Sequence, residues 1–375
     1  MAKKASALHS TYVLDGILQE LTPAELLAAV TESCSGTAPD EGGDQIVDET
    51  LDPVLGNLGL DSSEIDGYLD KVMSAEKQLP LAFADVYTRL RLAAALIDAI
   101  WCRGSFKLED LSLKASWKWN SAGIGSQAAF YRSVQSAADY IDALGLKFTS
   151  YSYSGTNQES SVNFRPQLSA SEDDAEDAFL GQPVRSGSPR LSALRSCPAV
   201  FDPDPQSWIV YIPFETSDYR LGGSLLAQTL GLGGGVPPQL DDPDYFIDCF
   251  EVVRELVEDK IIISGATVRY GGLLKTVKQM TSPEVGASID ISGIMKSCNE
   301  KDIVRILFSE VPGAVIQIRD IDFDYLDAEL LLQDVAFFPL GHPVPGTSDV
   351  RVKASAKSGI QTILESLMQN AEGED

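Results

Sequence analysis

The sequence predicts an α/β protein of two domains, and three observations carry that prediction. Strand-like and helix-like segments alternate over most of the chain, the pattern of helices laid against a sheet. A strict period-two run, Leu111-Ser-Leu-Lys-Ala-Ser-Trp-Lys-Trp119, marks a half-buried strand. At 375 residues the chain is long enough for two separate cores.

The elements follow in order. Residues 1–51 read as an extension and acidic linker, with one helix start in it: Thr22 as N-cap, Pro23 at the first helical position and Glu25 three after the cap. Leu26, Leu27 and Val30 give that helix a short apolar face, and 34–51 is rich in Gly, Asp, Glu and Ser. The first domain is expected over 52–153. Its long helix at 82–101 buries Val86, Leu90, Leu92, Ala93, Leu96 and Ile97. The strand 111–119, a helix at 127–144 and a strand at 147–153 complete it. Residues 154–196 lose apolar density and carry the acid run 169–177, so they read as an acidic insertion or linker. A second domain follows over 197–345. It should hold strands at 208–214, 260–264 and 314–318 and helices at 223–231, 243–259, 272–280 and 302–310. In the helix at 243–259, Phe246, Phe250, Val253 and Val257 share a face, and Asp241, Asp242 and Asp244 sit where the helix dipole favours anions. A tail, 346–375, is expected to carry one more helix at 360–368.

Composition excludes several classes. No apolar run approaches the roughly 18 residues that suggest a membrane span, and Met1-Ala-Lys-Lys-Ala-Ser has no apolar segment after its lysines, so neither a membrane anchor nor a signal peptide is expected. The five cysteines (Cys34, Cys102, Cys197, Cys249, Cys298) are scattered without a CxxC pair, which argues for reduced thiols in a cytoplasmic setting. With 55 acids against 29 bases, the net charge of −26 repels phosphate backbones, so no nucleic-acid partner is expected. The same surplus serves solubility or attracts a basic protein. His9 and His342 are the only histidines, and neither stands in a nucleophile motif.

Three segments carry most of the remaining information: Tyr219-Arg-Leu-Gly-Gly-Ser-Leu-Leu-Ala-Gln228, Asp244-Tyr-Phe-Ile-Asp-Cys-Phe250 and Gly265-Ala-Thr-Val-Arg-Tyr-Gly-Gly272. With Leu307-Phe-Ser-Glu-Val-Pro-Gly-Ala-Val-Ile-Gln-Ile318 and Leu340-Gly-His342, in that order, they resemble the second synthase half of phosphoribosylformylglycinamidine (FGAM) synthase. The resemblance is weak over 52–78 and clear over 79–153 and from 198 to 343; none is found for the extension. It implies an aminoimidazole ribonucleotide synthetase-like fold, with an N-terminal domain whose strands form a barrel with a partner half and a C-terminal α/β sandwich domain. It also implies ATP held through Mg²⁺ by carboxylates.

Those carboxylates are what the chain lacks. Where the family writes Gly-Glu-Asp-Ala, this chain has Gly125-Ser126-Gln127-Ala128; for Gly-Lys-Asp-Ser it has Tyr151-Ser152-Tyr153-Ser154. The pattern Gly-His-Asp-x-Ser-x-Gly-Gly becomes Gly265-Ala266-Thr267-Val268-Arg269-Tyr270-Gly271-Gly272, and the usual Asn of the first strand is Ser116. The steric framework remains. Gly222, Gly223 and Ser224 open one helix and Gly271 and Gly272 another, so their N–H groups could receive an anion with Arg269 as a further contact, a vestigial nucleotide site. Glycines there serve tight turns and close packing equally well.

The reading that follows is a noncatalytic FGAM-synthase-like protein acting as a dimerising scaffold or interaction partner, with no catalytic residue, no resident metal and no cofactor required. ADP or ATP with Mg²⁺ at the vestigial site is the only cofactor it leaves open. A lone barrel half should expose apolar strand surface, which implies a homodimer or a heterodimer with an FGAM-synthase-like half. Degenerate copies of this synthase occur in viruses, which makes a viral or phage source an expectation of the resemblance. The alternatives are a diverged or split subunit that supports ATP-dependent ligation in purine biosynthesis, and an acidic decoy for a basic protein.

Overall fold

The computed structural model describes residues 6–31, 45–48, 60–169 and 191–354. The acid run 170–177 and the expected helix at 360–368 lie outside them.

At the N-terminus, β1 (Thr11–Leu14) pairs antiparallel with β2 (Ile17–Leu18) and parallel with β3 (Gln45–Asp48). Helix α1 (Pro23–Ala29) begins at the anticipated capping box, with Glu25 N–H donating to Thr22 Oγ1 and Thr22 N–H to Glu25 Oε2. This segment is more than an extension. Tyr12, Leu14, Leu27 and Val30 are buried in the same apolar cluster as the long helices that follow.

After α2 (Ile65–Ser74) come α3 (Ala84–Ile100), β4 (Leu111–Trp119), α4 (Ser126–Ala143), β5 (Lys147–Gly155) and β6 (Ser161–Leu168). Strand β4 is central, parallel to β5 and antiparallel to β6. Its alternation is as read: Leu111, Leu113, Ala115, Trp117 and Trp119 point inward, and the two indoles donate to Ser133 Oγ and Ser126 O. Strand β6 falls inside the expected insertion at 154–196. Val162 and Phe164 alternate with Asn163 and Arg165, but Pro166 takes the next inward position and cuts the pattern short, and an edge strand tolerates that proline.

The second half is built on a six-stranded sheet in the order β12-β9-β11-β7-β10-β8, antiparallel except for the β12–β9 edge. Its strands are β7 (Trp208–Pro213), β8 (Ile262–Val268), β9 (Val285–Asp290), β10 (Gly313–Ile318), β11 (Phe338–Pro345) and β12 (Val350–Lys353). The helices are α5 (Leu225–Thr229), α6 (Pro243–Glu258), α7 (Gly272–Met280), α8 (Ser292–Ser297), α9 (Ile303–Phe308) and α10 (Phe323–Leu332). The fold is mixed α/β, as the sequence predicts. Strand β8 starts later than read because Lys260 adopts a left-handed conformation (φ +62°) just after α6 ends. Helix α9 stops at Phe308, since Ser309 is extended. Part of the expected tail, 350–353, is strand β12.

Exposed apolar strand residues occur at Ile17 and Leu18 of β2 and Val47 of β3, 67%, 59% and 74% exposed, rather than on the β5-β4-β6 sheet. The free face of the β5-β4-β6 sheet is not apolar. It carries Ser116, Lys114 and Lys118 from β4, Ser150, Ser152 and Ser154 from β5, and Asn163 and Arg165 from β6. Lys114 and Arg165 stand directly opposite each other, both exposed. Like charges in that position disfavour stacking this face on an identical one.

Candidate functional site

The two glycine-bearing turns meet. Glu310 Oε1 accepts from the N–H of Leu225, the residue after Ser224, and from the N–H of Gly271, each at 2.8 Å. A single carboxylate therefore sits at the starts of α5 and α7. Sequence reading missed Glu310, although it lies within a quoted segment, because a charged residue beside a helix end looks like surface. Here it is 5% exposed.

The glycines are sterically required. Gly271 and Gly272 have φ of +84° and +75°, and a Cβ on Gly272 would lie 2.7 Å from Leu307 O. On Gly223 it would come within 2.7 Å of Phe83 and 2.8 Å of Tyr87, whose hydroxyl donates to Gly222 O. Ser224 caps its own helix, Oγ accepting from Ala227 N–H. Arg269 pairs with Asp98 of α3. Thr267, at the family's acid position, donates to Asp98 Oδ1 at 2.7 Å and accepts from the Trp101 indole at 2.9 Å.

Cations surround Glu310. Arg91 and Lys77 stack over Tyr270, 5.2 and 4.9 Å from its ring centre, and buried Lys275 donates to Val72 O at 2.9 Å. Burial raises the Glu310 carboxyl above its ordinary value, opposed by its two N–H donors and by Arg91 and Lys275. Burial lowers Lys275, with Lys77 adding to the effect. The crevice bounded by Tyr87, Arg91, Arg269, Tyr270 and Glu310 holds about 20 Å³, space for one water. In this arrangement the residues do not fit a nucleotide phosphate: Glu310 already takes the N–H groups of Leu225 and Gly271 that would hold it.

The other position of interest is the start of α4. Asp48, from β3, accepts from the N–H groups of Gly125 (3.2 Å), Gln127 (2.7 Å) and Ala128 (3.1 Å). The helix N-terminus favours that negative charge. Ser126 and Gln127 make it tolerable, since acids at those positions would repel Asp48. Beside it is a cleft of about 600 Å³, bordered by Trp119, Asn120, Gln127, Tyr153 and Thr156. Of the Tyr151–Ser154 set, Tyr153 faces this cleft, while Ser152 and Ser154 lie on the free sheet face with Ser116.

His342 is structural. Its Nδ1 lies 2.9 Å from Ser207 O and its ring packs on Trp208. The described thiols, Cys102, Cys197, Cys249 and Cys298, are unpaired, and burial raises each of them. Among the described residues no three His, Cys, Asp or Glu side chains gather as a metal site, and no helix is long and apolar enough to cross a membrane.

No family model matches the chain. It is 24% identical over 285 residues to phosphoribosylformylglycinamidine synthase of Homo sapiens, a match covering 73% of this chain and 20% of that protein. The chain thus spans about a fifth of the length of this curated relative. Among solved structures it is similar to PurLQS from Thermotoga maritima (TM-score 0.45, 13% identity, 75% of this chain and 40% of that one). It is also similar to PurL of T. maritima complexed with AMPPCP (0.43, 13%, 74% and 39%) and to the hydrogenase maturation protein HypE in complex with ATP (0.45, 10%, 72% and 76%). In sequence, the chain is FGAM-synthase-like.

Proposed function

We propose that this chain is a noncatalytic FGAM-synthase-like protein that works by binding other macromolecules. One observation carries the reading. Asp48 belongs to a segment with no resemblance to the synthase, yet its carboxylate occupies the α4 N-terminus where the resemblance puts an acidic Gly-Glu-Asp-Ala motif. A chain that uses an unrelated strand to fill that position has turned it from ligand chemistry to internal structure. Glu310 at α5 and α7, and the pairing of Arg269 with Asp98, support the same reading. A cytoplasmic setting and a viral or phage source are compatible with it.

The basic free sheet face favours a different, acid-bearing half as sheet partner over a second copy of this chain. A second reading, a diverged subunit supporting ATP-dependent ligation, is favoured by the sequence likeness to FGAM synthase. Thermal unfolding with millimolar ADP or ATP and Mg²⁺ separates the two. A ligand at about 100 times its Kd stabilises by about 2.7 kcal/mol, a shift of a few degrees. The noncatalytic reading expects no shift; a clear Mg²⁺-dependent rise would overturn it and favour the subunit.

A further inference from the structure

The helix α10 is anchored on one side and apolar on the other. Its inner side buries Leu326 and Leu330 completely, and Phe323 packs on Trp208 with ring centres 5.1 Å apart. Trp208 in turn donates from its indole to Asp320 Oδ1 at 2.7 Å, which pins the turn that leads into the helix. The outer side should then be polar, as on any surface helix. Instead, Ile321 is 84% exposed, Leu332 76% and Leu331 74%, with Tyr325 exposed between them. Tyr325, Ala328 and Leu332 recur at i, i+3 and i+7, one stripe along the helix, and Ile321 lies just ahead of it in the turn that leads into α10. The exposed acids Asp324, Asp327 and Asp334 border it, and no base occurs between Asp320 and Asp334.

From this we infer that the outer face of α10 is a docking helix for another protein, one offering an apolar groove rimmed by lysine or arginine. Stripes of this spacing are how helices seat in grooves, their side chains entering at i, i+3 and i+7. The acid border selects the rim, because like charges across an interface cost several kcal/mol and opposite ones steer encounter. It disfavours a second copy of this chain, whose stripe carries the same acids on a molecule of net charge −26. The rigid seat of the helix leaves little ordering entropy for binding to overcome. The inference rests on the interaction-protein reading and gives it a surface and a partner chemistry.

The test uses the full chain and a synthetic helical-hairpin peptide whose groove is lined by leucines and rimmed by lysines, followed by fluorescence anisotropy. The wild type should bind it, and Ile321→Ser with Leu332→Ser should weaken binding about tenfold or more, as loss of interface anchors does. Asp324→Lys with Asp327→Lys should weaken it too and flatten its salt dependence. The serine variant changes exposed side chains only, so an unchanged Tm is expected of it; the lysine variant places a base in the first turn of α10 and should lower Tm slightly. Equal binding by the serine variant would mean charge alone holds the peptide and would overturn the inference, as would no binding by the wild type. A wild-type dimer that the serine variant makes monomeric in sedimentation would overturn it in favour of self-pairing. A Mg²⁺-dependent nucleotide shift, by contrast, would sink the noncatalytic reading while leaving this result untouched.

Discussion

Glu310 is a carboxylate whose protonation is linked to folding. Burial raises it in the folded chain above its ordinary value of 4.5, so between that value and the raised one the folded state holds more protons than the unfolded state. Stability from this group is therefore full below pH 4.5 and lost as pH rises through the raised value. Glu310→Gln should flatten that part of the stability–pH profile, measured by urea unfolding at a series of pH values; an unaltered profile would show that Glu310 is not its source. Gly272→Ala tests the neighbouring turn. The left-handed backbone alone costs a side chain roughly 1–3 kcal/mol, and the clash with Leu307 O adds to it. Ser112 offers the opposite case. Its hydroxyl is buried without a partner, so Ser112→Ala should leave Tm equal or slightly higher.

Among the elements, the start of α4 depends on a strand remote in sequence. Asp48→Ala removes three N–H acceptor contacts at a helix N-terminus and should cost about 1–2 kcal/mol in chemical unfolding. If Asp48→Ala instead restored a Mg²⁺-dependent nucleotide shift, the position would still be a ligand site. Another long-range tie is Arg254 of α6, 2% exposed, which donates to the carbonyls of Ile100 at the end of α3 and of Cys102 and Gly104 just beyond it, and pairs with Glu258. It satisfies carbonyls that a helix end leaves without partners.

These ties also show where the sequence was readable. The cap of α1, the alternation of β4 and the buried face of α6 are local, written in neighbours three or four residues apart, and all are present. The strands β6, β11 and β12 were not legible. Pro166 interrupts β6 and Pro339, Pro343 and Pro345 interrupt β11, while β12 is only four residues long; pairing with distant strands makes them strands. The glycine turns could be found from sequence, whereas the carboxylates that fill them could not. Asp48 and Glu310 are ordinary acids until the fold brings a helix start to each.

For the molecule as a whole, two buried thiols predict slow chemistry. Cys197 and Cys249, both buried and raised by that burial, should react with a thiol reagent such as DTNB at neutral pH far more slowly in the native chain than in urea, read residue by residue in a digest. The apolar cores matter more. One cluster joins Leu27 of α1, Leu92 of α3 and Trp117 of β4 to Phe246 of α6 and Ile316 of β10. The other joins Val72 of α2 to Leu225, Val277 and Phe308. Each core thus draws on residues from both sides of the connector at 170–190. Made as two separate polypeptides, 1–180 and 181–375, neither piece would own a complete interior. Produced together, they should find one another and copurify as a reassembled pair, so that a reporter divided between them would light up only where both are made.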